Sequence, residues 1–168
     1  DPFDFKIDSK IQRLDFKKIL PDKNIFNEIF SREFLLNENF NGRFVIRSND
    51  LNNGNFFNEI LINSNFVGEK IELTNSNLTN KKIGSLNLNY GNIYLEENDI
   101  IFKGKFSFEI FDKNKFYRKF LVSKKNQREI DKVYFGLNIN LSTLDTKIFF
   151  VSLDKNKPQI NDELDDLI

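Results

Sequence analysis

The chain has no histidine, cysteine, methionine or tryptophan, and no alanine either. Without histidine and cysteine, the Ser-His and Cys-His nucleophile pairs cannot be assembled. Zinc sites of the Cys/His type are excluded for the same reason. No disulfide can form, so cysteine usage assigns no redox compartment. Glycine is sparse, with 7 residues scattered so that neither GxGxxG nor GxxxxGK occurs, and this removes the usual phosphate-cradling loops. The 25 basic and 25 acidic side chains cancel. The basic excess that draws proteins to nucleic acid is therefore missing, and no nucleic-acid partner is expected. No apolar run approaches the ~18–20 residues of a membrane helix, and no signal-peptide pattern heads the sequence.

What is present suits one ordinary domain. The 168 residues are 39% hydrophobic and 30% charged, enough for a core and too short for two comfortable ones. Phenylalanine (20) and asparagine (25) stand out. Phe, Asn, Lys and Ile share AT-rich codons and Ala needs a GC-rich one, so coding bias accounts for this composition. Asn-rich stretches are accordingly not read as prion-like segments.

Alternation is the dominant pattern. Phe3, Phe5 and Ile7 are spaced by two; Phe44 and Ile46 alternate with Arg43, Val45 and Arg47; Ile60 and Ile62 run in phase toward Phe66. Ile71 and Leu73 follow, then Leu86, Leu88 and Tyr90, then Ile93 and Leu95. Phe102, Gly104, Phe106, Phe108 and Ile110 make a long series, as do Val133, Phe135, Leu137, Ile139 and Leu141; Ile148 and Phe150 close it. Period two gives a sheet with one apolar and one wet face. Turn chemistry at Asn53-Gly54, Tyr90-Gly91-Asn92 and Glu97-Asn98-Asp99 separates the runs. The reading is mostly β: a strongly twisted antiparallel sheet or meander of about eight or nine strands, forming a groove or taco-like body. Two segments have helical spacing. Residues 22–36 place Ile25, Phe26, Ile29, Phe30 and Phe34 on one face behind Pro21 and Asp22, which predicts the main amphipathic helix. Phe116, Phe120 and Leu121 predict a short second helix over 115–122. Residues 1–153 are expected to form a single domain and 154–168 a flexible acidic tail.

Catalytic chemistry has little to stand on. Acid–base work by paired carboxylates needs no histidine, yet no pair stands out, so no enzyme activity, catalytic residue or cofactor is expected. Asp50-Leu51-Asn52-Asn53-Gly54 is one residue short of a calcium loop and lacks the terminal Glu, so no metal site is expected. Asn77-Leu78-Thr79 and Asn140-Leu141-Ser142 match the glycosylation pattern at a frequency that this Asn content gives by chance. The stretch from Lys113 to Lys132 is basic and interleaved with Phe116, Tyr117 and Phe120. Lys115, Arg118, Lys119, Lys124 and Lys125 are its candidates for binding anionic headgroups; the alternative is an exposed loop balancing the acidic tail. The strongest signal is the apolar strand phase itself: Phe44, Ile46, Ile71, Leu73, Leu86, Leu88, Phe102, Phe106, Phe108, Phe135, Leu137 and Ile139. One helix covers only part of such a face. The sheet must curl on itself, pack on a neighbouring domain, or hold an apolar ligand such as acyl chains. A closed-core structural or protein-interaction domain is the other reading.

The order of features resembles a known family. A strand, then a helix behind Leu20-Pro21, then a strand opened by Phe40-Asn41-Gly42-Arg43-Phe44, precede the run from Ile83 to Leu95, which leads to Ile100-Ile101-Phe102-Lys103-Gly104-Lys105-Phe106. Lys115-Phe116-Tyr117-Arg118-Lys119-Phe120 and a final amphipathic strand at Val133–Leu141 follow. Over most of residues 3–153 this looks like the C-terminal part of an AsmA-like protein. The family has no catalytic motif. The resemblance implies the periplasmic portion of an inner-membrane-anchored envelope protein, with the anchor and the membrane contact outside this chain. It also implies phospholipid as partner, because AsmA-like proteins are similar to bridge-like lipid transfer proteins, whose curved sheets form a groove for lipid tails. Protein partners are not implied. The chain is too short to span a periplasm and would be a segment or an end cap of a conduit.

Overall fold

A computed structural model describes residues 3–14, 37–51, 56–97 and 99–153. They form a mostly-β protein built on one 8-stranded sheet whose spatial order is the order of the chain. The strands are β1 (Phe3–Ile11), β2 (Phe40–Ser48), β3 (Glu59–Val67), β4 (Lys70–Asn80), β5 (Gly84–Glu96), β6 (Asp99–Ile110), β7 (Lys132–Asn140) and β8 (Thr146–Leu153). A short helix, α1 (Lys113–Lys119), and one 3-10 turn (Lys124–Asn126) lie between β6 and β7. The sheet does not close: β1 ends it on one side and β8 on the other. The helix expected over 22–36, the Asn53-Gly54 turn and the tail at 154–168 lie outside the described residues. Among the described residues, no helix is long and apolar enough to cross a membrane.

From β2 to β8 every neighbour is antiparallel. β1 departs from this, pairing with β2 in parallel from Phe3↔Phe40 to Ile11↔Ser48. A parallel pair cannot be joined by a hairpin and needs a connection of about a dozen residues or more, and Ile11 and Phe40 stand farther apart than that along the chain. The expectation of an all-antiparallel sheet is corrected here, because alternation reports which face a side chain takes and carries no information on strand direction.

Two strands in the middle change phase. The β3–β4 register shifts between Leu61 and Ser64, and the β5–β6 register between Leu88 and Tyr90. Asn75 and Asn89 lie at these slips, and Asn75 adopts the left-handed φ of 50° that Asn tolerates better than most residues. Ser76 repairs the interrupted ladder: its Oγ accepts from the Asn63 N–H at 2.9 Å and donates to the Asn63 carbonyl at 3.3 Å. The extra residue in each strand keeps Ile71, Leu73, Ile93 and Leu95 on the same face as Leu78, Leu86 and Leu88, and such bulges bend and twist a sheet. Two expectations change as a result. Tyr90 points away from Leu86 and Leu88, and Tyr90-Gly91-Asn92 is strand interior rather than a turn. A third slip between Gly136 and Leu137 separates Ile148, which faces with Leu137, from Phe150, which faces with Gly136.

The core is made within the sheet. Ile71, Leu88, Ile93 and Phe102 form one buried cluster; Leu14, Leu51 and Ile60 form a second beside β1 and β2. Among the described residues the strands pack chiefly on their sheet neighbours, so the apolar face is a single layer of side chains. The opposite face carries cross-strand polar pairs, including Arg47–Asp8 at 3.0 Å, Arg43–Asn63 at 3.1 Å and Thr79–Ser85 at 3.0 Å.

Candidate functional site

The register brings every lining residue expected from the sequence onto one face. Phe44 and Ile46 oppose Ser64 and Ile62; Ile71 and Leu73 oppose Phe66 and Ser64. Leu86 and Leu88 oppose Phe108 and Phe106; Phe102, Gly104 and Phe106 oppose Ile139, Leu137 and Phe135. Ile71, Leu88 and Phe102 are buried, whereas the other lining residues keep part of their surface open. Phe106 and Phe135 stack with centroids 5.3 Å apart.

In the middle of this face is a hollow of about 310 Å³. Leu73, Leu86, Leu88, Phe102 and Phe106 border it, joined by Ile60 and Ile62, which the alternation puts in strand phase without marking them as lining, and by Leu78, which no run of the alternation includes. Side chains from β3 to β6 meet around one space, so the sheet is concave here. Ser76 is a small residue of the lining, standing where neighbouring face positions hold Leu or Ile, and Ser64 lies beside Leu73 next to it. Their hydroxyls turn into the backbone, Ser64 Oγ donating to the Phe44 carbonyl at 2.9 Å, and the lining stays apolar.

The helix α1 closes one end of the face. Its start is fixed by Asp112, which accepts from the Lys115 N–H at 2.9 Å and pairs with the Lys115 Nζ at 2.7 Å. The hydrogen bonds and the charge of Lys115 hold the Asp112 carboxyl below the usual carboxylate range. Lys113, tied to Asp131 at 2.8 Å and Glu129 at 2.6 Å, is held above the ordinary lysine value. Tyr117 is buried, its hydroxyl accepting from the Arg128 N–H at 3.1 Å and donating to the Arg128 carbonyl. This helix begins earlier than the expected 115–122, at its Asp cap, and the chain leaves it at Leu121 with φ 54°. Phe116 rests on Phe108 (5.5 Å) and Phe120 (4.8 Å), and Phe120 rests on Phe56 (5.2 Å). The aromatic side of α1 is thus continuous with the apolar face.

The other side of α1 is cationic. Lys115, Arg118 and Lys119 line a second hollow of about 490 Å³ together with Lys82, Asn58, Asn80 and Ile83. Lys124 and Lys125 sit on the 3-10 turn and do not line it. Lys82 comes from the β4–β5 turn, where Asn80 accepts from its N–H at 3.0 Å and donates to the Phe56 carbonyl at 2.6 Å. No local signal in the sequence could have joined Lys82 to a helix so far along the chain. At the far end of the strands the sign reverses. Glu38, Glu69 and Glu97 surround a hollow of about 820 Å³ with Lys70 and Tyr94, and the Lys70 ammonium is paired with Glu72 at 3.0 Å. Burial, aided by Glu96, pushes the Tyr94 hydroxyl above its ordinary value. Comparison with protein families, with curated proteins and with solved structures finds no match to this chain.

Proposed function

We propose that this chain is a non-enzymatic lipid-handling module whose apolar sheet face shields or conducts acyl chains. The observation that carries the reading is the single, continuous apolar face with an open hollow at its centre and no second layer over it among the described residues. A sheet face of this kind gains by taking apolar surface out of water, at roughly 25 cal/mol per Å². The resemblance to AsmA-like proteins supplies the setting: the periplasmic portion of an inner-membrane-anchored envelope protein acting in phospholipid transport or outer-membrane assembly. Lys115, Arg118, Lys119, Lys124 and Lys125 are the cations offered to headgroups.

Native mass spectrometry of the gently expressed protein, with lipid extraction alongside, tests this. Acyl lipid bound at stoichiometric level is the expected result. Phe106→Asp and Leu137→Asp, each placing a carboxylate on the face, should abolish lipid co-purification while far-UV circular dichroism stays that of the parent. A clean apo protein that takes up nothing from added vesicles would overturn the reading. A structural or protein-interaction domain would then be favoured, for which the exposed Ile148 and Val151 on the terminal strand β8 offer the docking edge.

A further inference from the structure

The two hollows near α1 sit on the same strands. Ile60, Leu78 and Leu86 border the apolar one; Asn58, Asn80 and Ile83 border the cationic one. Two residues along a strand are roughly 7 Å, so both hollows lie within reach of one small molecule. Of the cations around the second hollow, Lys115 is paired with Asp112, whereas Lys82, Arg118 and Lys119 have no ion-pair partner among the described residues. Among the described residues no carboxylate lines this hollow; the acids at this end of the strands are taken up by other lysines, Asp112 by Lys115, Glu129 and Asp131 by Lys113, and Glu59 by Lys81. The apolar hollow, at about 310 Å³, is at the bottom of the size range of ligand pockets, about 300–1,000 Å³. That space suits one chain rather than the paired chains of a diacyl lipid.

We infer that the site takes a single-chain amphiphile with an anionic head, the head seated among Lys82, Arg118 and Lys119 and the chain running from Phe108 into the hollow at Leu86 and Leu88. This inference rests on the lipid-handling reading and fixes both the class of ligand and its direction. The head lies at the α1 end because the three cations left unpaired among the described residues are there, whereas the hollow at the other end is lined by Glu38, Glu69 and Glu97. Lys115 contributes less, its ammonium being already paired.

Titration calorimetry of the whole chain below the micelle concentrations tests this with palmitoyl-lysophosphatidylglycerol, with palmitate, and with uncharged monopalmitoylglycerol. Dipalmitoylphosphatidylglycerol vesicles are the two-chain probe. The anionic single-chain probes should bind about tenfold or more tightly than the uncharged one, since each basic residue near an anionic head contributes on the order of a kilocalorie. Comparing the phosphate with the carboxylate head shows which anion the three cations prefer. The doubly reversed K82E/R118E protein should lose that advantage and keep its affinity for monopalmitoylglycerol. K6E/K10E changes net charge equally but lies on the polar face of β1, outside both hollows, and should behave as the parent. Equal affinity for charged and uncharged probes, an equal loss in K6E/K10E, or a preference for the two-chain vesicles would overturn the inference and leave the lipid-handling reading in place. Binding of none of the probes would overturn both.

Discussion

The ring of Phe102 lies over two glycines on neighbouring strands. A Cβ on Gly104 would come within 2.6 Å of its Cζ and 3.0 Å of Leu88 Cδ1, and one on Gly91 within 3.0 Å of its Cε2. The same arrangement recurs across the sheet: the Phe5 ring covers Gly42, Phe108 covers Gly84, and Phe149 and Phe150 cover Gly136. A bare strand glycine exposes backbone and weakens pairing; a cross-strand aromatic restores the lost contact. The high phenylalanine content therefore has a use in this fold, whatever its origin in codon bias. Gly104→Ala should cost about 1–3 kcal/mol by overpacking, read as a lowered urea midpoint with an unchanged slope. Ser76→Ala leaves the Asn63 N–H without its partner at the bulge and should cost about 1–3 kcal/mol by the same measurement. The sequence shows Gly104 in phase with Phe102 and Phe106, but not which ring covers which glycine across the sheet, because that depends on pairing between strands.

At the scale of elements, the strands were readable and their slips were half readable. The apolar phase is even at Leu86 and Leu88 and odd at Ile93 and Leu95, and an odd-to-even change inside one run is the mark of an inserted residue. The sequence reading carried the even phase through to Tyr90, where the bulge at Asn89 had already reversed it. Helix α1 was legible from its phenylalanines but not from its cap, since Asp112 matters only through the bond to the Lys115 N–H. That bond makes the helix pH-dependent. Asp112 titrates below its unfolded value of about 3.9, so its contribution is fully present above that value and disappears as pH falls through the lower, folded one. Amide exchange at Lys115 and Phe116 should therefore speed up relative to the strands as pH falls below about 4; in Asp112→Asn that part of the acid dependence should be gone. Tyr117→Phe removes both bonds to Arg128 and should loosen the segment between α1 and β7 at every pH, again visible by amide exchange.

For the molecule as a whole, the alternation of apolar residues was enough to indicate a mostly-β body with a greasy face, and the register puts those residues on one side of the sheet. The distribution of charge was not legible. A chain with net charge zero folds so that Lys82, Arg118 and Lys119 gather at one end of the strands and Glu38, Glu69 and Glu97 at the other. Each cluster draws on separate turns, which strand length and order bring together. An open apolar face beside a cationic end also has a thermodynamic signature. A ligand that binds only the folded state raises stability by about 2.7 kcal/mol at a hundred times its Kd, and for a chain of this size that is a rise in Tm of about 5–10 °C. An amphiphile that merely solvates unfolded chain lowers Tm instead. Melting followed by far-UV circular dichroism, suited to a chain without tryptophan, should show Tm rising and then saturating as palmitoyl-lysophosphatidylglycerol is added below its micelle concentration. The rise should shrink with added salt, because its electrostatic part acts over about 10 Å at 0.1 M and about 3 Å at 1 M. Its apolar part should survive the salt and vanish in Leu137→Asp. A monotonic fall in Tm would mean that the face is buried in the working protein and has no room for a chain.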